Sequence, residues 1–494
     1  MSSPEGLTRE LAELARLDMT PLDTPEPELA YLFKHVIIRE VAYESLGAAT
    51  RTALHGQLAD YLERSAGTDT DGVLDILAYH YEQSDNLAKK REYLRRAGTA
   101  AADRYANAAA LAYLSRALDL VPRDNLSERY DLLLARETIY DVQGERALES
   151  ADLDLLRDLA ERLGDPRRCA EVALQCGRYA ERIGDYPAAV AATQEAIAWA
   201  QAANLSGLEA TGYQRWGWTL LRQRDYADAR VQLERSLQLA RTNNDQHCVC
   251  RALTDLGTLA LEQGAHTEAR GWYTQSLSLA RSLGDRRQEC HALGNLGTLL
   301  AEQGNFSGAR VALEQNLAYA DAIGDNQIAG TTRSNLSFLC ILMGDYPGAQ
   351  RILERGLPQL REVGDRRVEA ATLGNLGLVA THKGEYAAAH KAYSDCLALA
   401  QEIGDPVSTG CAQRGLGNVA FGTGDREAAE DAYQQSLATL REVGTPALIA
   451  EPLAGLALLA LARGDVAAAL IPVEEILSSL ATGSLDGAEE PMVV

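Results

Sequence analysis

The chain has 494 residues, 46% of them hydrophobic but only 6% aromatic, and a formal net charge of −23. So acidic a balance excludes a general binder of nucleic acid or anionic membrane, because both require a positive field. Ala and Leu dominate the apolar fraction, which is the composition of closely packed helices and not of sheets. The acid excess has two readings, solubility of a long apolar-rich helical chain or complementarity to a basic partner. The eight cysteines contain no C-x-x-C pair, and several occupy packing slots, so they read as reduced structural thiols. There is no basic-plus-apolar leader, and no apolar run reaches the ~20 residues that span a bilayer. The expectation is a soluble, cytoplasmic chain.

The N-terminal quarter lacks the periodicity found downstream. It contains Tyr31-Leu32-Phe33-Lys34-His35-Val36-Ile37-Ile38-Arg39-Glu40-Val41-Ala42-Tyr43-Glu44-Ser45-Leu46, then Leu54-His55, Ala78-Tyr79-His80-Tyr81 and Tyr105-Ala106-Asn107-Ala108-Ala109-Ala110. These stretches resemble the region that follows the ATPase module of bacterial signalling ATPases. Such proteins often carry an adenylate/guanylate cyclase domain upstream and helical repeats downstream. The resemblance implies that residues 1–45 are a remnant of a winged-helix-like region. A helical cap over the first repeat is the other reading, and the two are compatible. Residues 46–123 read as a helical linking region with repeat-like hairpins.

From there on a 40-residue lattice sets the organisation. Gly184-Asp185, Gly264, Gly304-Asn305, Gly344-Asp345, Gly384-Glu385, Gly424-Asp425 and Gly464-Asp465 are in register, and Arg224-Asp225 fills the one gap. Half a period away run Gly164-Asp165, Asn244-Asp245, Gly284-Asp285, Gly324-Asp325, Gly364-Asp365 and Gly404-Asp405. Glycine ends each helix in a left-handed conformation, and the following Asp or Asn caps the next by accepting a backbone N–H. Each period is therefore two helices. A third lattice, Gly177, Gly217, Gly257, Gly297, Gly377 and Gly417, is followed twelve residues on by alanine, from Ala189 to Ala469. Small residues there let the paired helices approach closely.

Leu-Gly, then Ala twelve residues on and Tyr273, Tyr393 or Tyr433 sixteen on, resembles the tetratricopeptide repeat in a form lengthened to 40 residues. The expected fold is all-α: a right-handed superhelix (an α-solenoid) of about nine helix–turn–helix repeats over 124–482, with a helical N-terminal region and a disordered tail, 483–494.

Chemistry is not legible. None of the five lysines lies in a G-K-[ST] sequence, so the phosphate-cradling P-loop is missing. Gly415-Leu416-Gly417-Asn418-Val419-Ala420 fits G-x-G-x-x-A but sits inside a repeat helix with no strand before it. His247-Cys248-Val249-Cys250 has metal-capable side chains but no fourth ligand nearby. Neither an H-E-x-x-H pair nor a G-x-S-x-G elbow occurs. The expectation is a non-enzyme with no cofactor and no metal.

The best candidate constellation is Asn295, Asn335 and Asn375, each directly before the shared Leu. The tetratricopeptide resemblance implies that this position faces the concave groove, where an amide can both donate to and accept from an extended peptide backbone. Phe338, Ile341 and Leu378 would form an apolar floor, with Arg251, Arg333 and Arg414 flanking it. The competing reading is that the amides bond to the next helix and only hold the stack together. The function expected is a peptide- or protein-binding scaffold and sensor region of a bacterial signalling protein, with a protein or peptide ligand and an upstream cyclase/ATPase module as partners. The alternatives are a small-molecule sensor that regulates such a module and a purely structural oligomerisation scaffold.

Overall fold

The structure, a computed structural model, describes residues 4–16, 22–24, 30–31, 35–67, 69–104, 106–443 and 446–481. Leu32, Phe33 and Lys34 of the N-terminal motif, Tyr105, and the expected tail 483–494 lie outside the described residues. The chain divides into two compact units, 1–103 with 108–122, and 104–107 with 123–494.

The first unit contains α1 (Pro4–Arg16), the strands β1 (Leu22–Thr24) and β2 (Ala30–Tyr31), α2 (Val36–Ser45), α3 (Ala48–Ala66), α4 (Leu74–Glu82), α5 (Leu87–Asp103) and α6 (Asn107–Leu120). The antiparallel β1–β2 pair departs from the helical expectation for this region. Its sequence explains why: Pro21, Pro25 and Pro27 fall in and around it, and a residue before proline is pushed to extended backbone. The core joins α3, α4 and α5 through Ala59, Leu74, Leu77, Ala78, Tyr81, Tyr93 and Ala97. The Tyr81 and Tyr93 rings stack with centroids 5.0 Å apart. Both hydroxyls donate to Glu63, at 2.5 and 2.8 Å, and Lys89 reaches the same carboxylate at 2.6 Å. Beside them the Tyr43 hydroxyl lies 3.0 Å from His55 Nε2, and His55 Nδ1 lies 2.7 Å from His80 Nδ1. The motif residues Tyr43, His55, His80 and Tyr81 thus tie α2, α3 and α4 together. Burial holds both imidazoles below their ordinary pKa.

The second unit is a run of helical hairpins. The first four are α7 (Leu126–Gln143) with α8 (Arg146–Leu163), α9 (Pro166–Arg182) with α10 (Tyr186–Ala202), α11 (Ser206–Arg222) with α12 (Tyr226–Thr242), and α13 (Gln246–Glu262) with α14 (His266–Leu283). Then come α15 (Arg286–Glu302) with α16 (Phe306–Ile323), α17 (Asn326–Leu342) with α18 (Tyr346–Val363), and α19 (Arg366–His382) with α20 (Tyr386–Glu402). The last two are α21 (Pro406–Thr423) with α22 (Arg426–Val443) and α23 (Pro446–Ala462) with α24 (Val466–Ala481).

The turn chemistry follows the sequence. Before α15, Gly284 takes φ 68° and the Asp285 carboxylate accepts the Gln288 N–H at 3.1 Å. Where glycine is missing, Asn204, Arg224 and Asn244 adopt the same left-handed backbone, with φ of 55°, 62° and 55°. Inside each pair the small residues set the spacing. A Cβ on Gly257 would lie 2.5 Å from the Tyr273 ring, and one on Gly377 would lie 2.7 Å from Tyr393. Ala229, Ala269, Ala309, Ala349, Ala389 and Ala429 are fully buried.

Pairs stack on their neighbours, and within this unit the solenoid also winds back on itself. Helix α7 packs against α19. The Arg146 Nε donates to the Ile403 carbonyl at 3.3 Å, and a Cβ on Gly144 would lie 2.7 Å from the Ile403 side chain. Pro406 approaches Gly184 in the same way, at 3.3 Å. The first two pairs are therefore in contact with the seventh and eighth.

Candidate ligand-binding surface

The first helices of successive pairs pack side by side, α11 on α13, then α15, α17, α19, α21 and α23, so their shared positions form one wall. Asn295 on α15, Asn335 on α17 and Asn375 on α19 are half-buried on this wall. None of these three amides makes a side-chain hydrogen bond among the described residues. Asn316 on α16 behaves differently: it is buried and its Nδ2 donates to Thr332 Oγ1 on the next helix at 3.0 Å. An amide that holds the stack together is thus present, at another position.

Phe338 and Leu378 are half-buried, and Leu378 packs against the Cys340, Ala349, Leu353 and Val379 cluster. Ile341 belongs inside that cluster, only 8% exposed, so it packs the core and does not form an open floor. Arg333 also departs from expectation. Its Nη2 donates to Asp321 on α16 at 3.0 Å, and its Cδ lies against Gly356 of α18, which turns it towards second helices. Arg414 on α21 pairs with Glu451 on α23, and Arg251 on α13 reaches Thr211 on α11 at 3.5 Å. Both stay among the first helices. His247 meets Asp285 at 2.7 Å, while Cys248 and Cys250 are fully buried, so these side chains do not converge.

Sequence reasoning missed a charged network at the start of the wall. Arg178 reaches Glu137 at 3.3 Å and Asp141 at 3.5 Å, Arg182 meets Asp141 at 2.9 Å, and Arg136 forks onto Asp152 at 2.6 and 2.8 Å. Further along, Gln214 donates to Asp255. Burial pushes Glu137 up to about 7 against the pull of Arg178, and Asp255 up to about 6. Arg215, crowded by Arg178 and Arg251, is lowered chiefly by burial. A signal was available. Glu137 to Arg178, Asp141 to Arg182 and Gln214 to Asp255 are each one residue more than a period apart, so the same turn of neighbouring first helices supplies opposed groups.

With a stack of helical hairpins that bury a small residue in every pair, the molecule is a helical-repeat solenoid. The tetratricopeptide repeat profile matches 208–282, 249–322 and 327–402. The matched stretches are tetratricopeptide repeats. A second profile, anaphase-promoting complex subunit 5, matches 93–208. No curated protein sequence matches the chain. Among solved structures, a Rap protein complexed with competence and sporulation factor superposes with a TM-score of 0.52 at 14% identity, over 72% of this chain and 99% of that one. Aspartyl phosphate phosphatase F from Bacillus subtilis gives 0.47 at 12% identity, over 72% of this chain and 94% of that one. A signal transduction ATPase with numerous domains that carries a tetratricopeptide repeat sensor, from Pyrococcus horikoshii, gives 0.42 at 14% identity; 87% of this chain covers 58% of that one. The Rap likeness is one of fold. Repeats of this kind are interaction scaffolds, and no helix among the described residues is long and apolar enough to cross a membrane.

Proposed function

We propose that the solenoid is the ligand-binding part of a signalling protein and holds an extended peptide along the first helices α15, α17 and α19. The observation that carries this is the row of Asn295, Asn335 and Asn375, half-buried, regularly spaced and without hydrogen bonds inside the protein. A half-buried amide gains nothing from lacking a partner, whereas an extended backbone offers each one a donor and an acceptor. Phe338 and Leu378 give the row an apolar border for ligand side chains, and Arg251 and Arg414 stand at its two ends. The Rap protein of similar fold is described in complex with competence and sporulation factor, which agrees with recognition along such a solenoid. Residues 1–45 and 46–123 would then connect the solenoid to an upstream cyclase or ATPase module, as the N-terminal motif residues imply. In this reading the chain recognises and does not catalyse.

Selection of binders from a random peptide library against the whole chain tests it. Peptides enriched on the wild type should bind N295A/N335A/N375A more weakly by roughly 1.5–4.5 kcal/mol, if the three amides act independently. The melting temperature should stay unchanged. A lowered melting temperature with undiminished binding would show that the amides only stabilise the stack.

A further inference from the structure

Where the second and third pairs face the seventh and eighth there is a cavity of about 200 Å³. It exists because the solenoid winds back on itself. Three arginines from three helices line it: Arg182 from α9, Arg222 from the last turn of α11 and Arg367 from the first turn of α19. The carboxylates in the lining, Glu181 and Asp405, are engaged elsewhere. Glu181 accepts the Trp218 indole N–H at 2.9 Å. Asp405 caps α21, accepting the backbone N–H groups of Val407 and Ser408 at 3.1 and 3.2 Å and the Ser408 hydroxyl at 2.7 Å. Arg182 is held by Asp141. Arg222 and Arg367 are exposed and form no hydrogen bond or ion pair among the described residues.

In a chain with 70 acidic against 47 basic residues, a shortage of carboxylates does not explain two unpaired arginines in one cavity. Like charge also crowds Arg182 at a cost: burial first, then Arg367, Arg178 and Arg146, lower its pKa against the pull of Asp141. A bound anion removes that cost. We propose that this cavity binds a small acid through its oxyanion group, carboxylate or phosphate, gripped by the guanidinium forks of Arg222 and Arg367 with Arg182 behind them. The volume falls below that of ordinary drug-sized pockets, ~300–1,000 Å³, which limits the ligand to a small molecule. Because Arg222 belongs to the third pair and Arg367 to the seventh, the bound acid also bridges the two superhelical layers. The site is independent of the amide row and of the peptide reading.

Calorimetric titration of the whole chain with inorganic phosphate and, separately, with succinate at constant ionic strength tests the proposal. One-to-one saturable binding is expected. Phosphate alone assigns a phosphorylated ligand, and succinate alone assigns a carboxylic acid. R222Q/R367Q should weaken binding at least about tenfold, while R241Q, an exposed arginine on α12, should not change it. N295A/N335A/N375A should bind the probe as the wild type does, which separates this site from the peptide surface. Should R222Q/R367Q melt lower than the wild type, R222K/R367K keeps the charge but loses the fork and should still show weakened binding. Absence of saturable binding of both probes at millimolar concentration, or undiminished binding by the arginine variants, overturns the proposal.

Discussion

In the unit of 1–103 with 108–122 each side chain is used once. Tyr43, His55 and His80 meet at one place, Glu63 gathers Tyr81, Tyr93 and Lys89 at another, and a single core cluster joins α3 to α5. In the solenoid the same few positions recur in pair after pair, and the core is divided into many small clusters, such as those around Tyr273, Leu313 and Tyr393. The two arrangements fail differently. A single shared cluster makes its helices depend on one another, whereas nearest-neighbour stacking confines damage to a pair and its neighbours.

The largest expected effect sharpens that contrast. Leu77 is fully buried in the first unit, so Leu77→Ala should cost about 2–5 kcal/mol through lost burial and the cavity left behind. All four tryptophans, Trp199, Trp216, Trp218 and Trp272, lie in the solenoid. Denaturation followed by tryptophan fluorescence should therefore keep its midpoint, while far-ultraviolet circular dichroism gains an earlier step. A fluorescence midpoint that falls in parallel would mean that the two units unfold as one.

A smaller effect has opposite signs in the two regions. His55 and His80 titrate below 6.5 in the folded state, so as pH falls through 6.5 the unfolded chain takes up protons first. Their contribution is present above that pH and is lost on acidification. Glu137 and Asp255 titrate at about 7 and about 6 when folded, against 4.5 and 3.8 as ordinary values. The folded solenoid therefore holds protons that the unfolded chain has released, and these groups make it less stable as pH rises from about 4 to about 7. Between pH 8 and pH 5 the opening free energy read from hydrogen-exchange protection factors should fall in α3 and α4 and rise in α7 and α13, the rise by roughly 1–3 kcal/mol. Glu137→Gln should flatten the response in α7. The same direction of change in both regions would break the comparison.

Much of the solenoid was legible because its information is local and repeated. Gly284-Asp285 states a helix stop and the next start within two residues, and the sixteen-residue step from Gly257 to Tyr273 states which side chain fills the space beside a glycine. What one residue faces across several pairs is not written in that way. Arg333 looked like Arg251 and Arg414 on the helical wheel, yet it is drawn to Asp321 by a charge that the preceding helix happens to carry. Ile341 was placed with Phe338 and Leu378 because a spacing of three falls on one face, but the second helix α18 closes over it. The cavity of Arg182, Arg222 and Arg367 depends on how far the stack winds, and that is a sum of small rotations over several pairs that no single repeat encodes. In the first unit Val36, Ile37 and Ile38 are apolar, yet α2 has no buried residue. Composition records that a side chain is apolar and is silent on what covers it.

The smallest effect probes a place where the lattice lacks its glycine and a long side chain takes the strain. Arg224 has φ 62°, a left-handed backbone that its Cβ disfavours, and the chain needs that conformation so that the Arg224 N–H can reach the Leu221 carbonyl, at 2.9 Å, and the Asp225 N–H the Leu220 carbonyl, also at 2.9 Å. Asp225 then caps α12 by accepting the Asp228 N–H at 3.3 Å. Arg224→Gly keeps every one of these backbone bonds and relieves the Cβ strain of about 1–2 kcal/mol, against a larger entropy loss for glycine of about 0.5–1 kcal/mol. The net expectation is a gain of roughly 0.5–1 kcal/mol, read as a rise in the fluorescence midpoint. The neighbouring Trp216 and Trp218 on α11 make that probe local. Arg224→Ala supplies the control: it removes the same long side chain but retains the Cβ, so it should give no gain. Equal stabilisation by Gly and Ala would mean that the guanidinium, and not the backbone, was the source of strain, and that the lattice tolerates its missing glycine at no conformational cost.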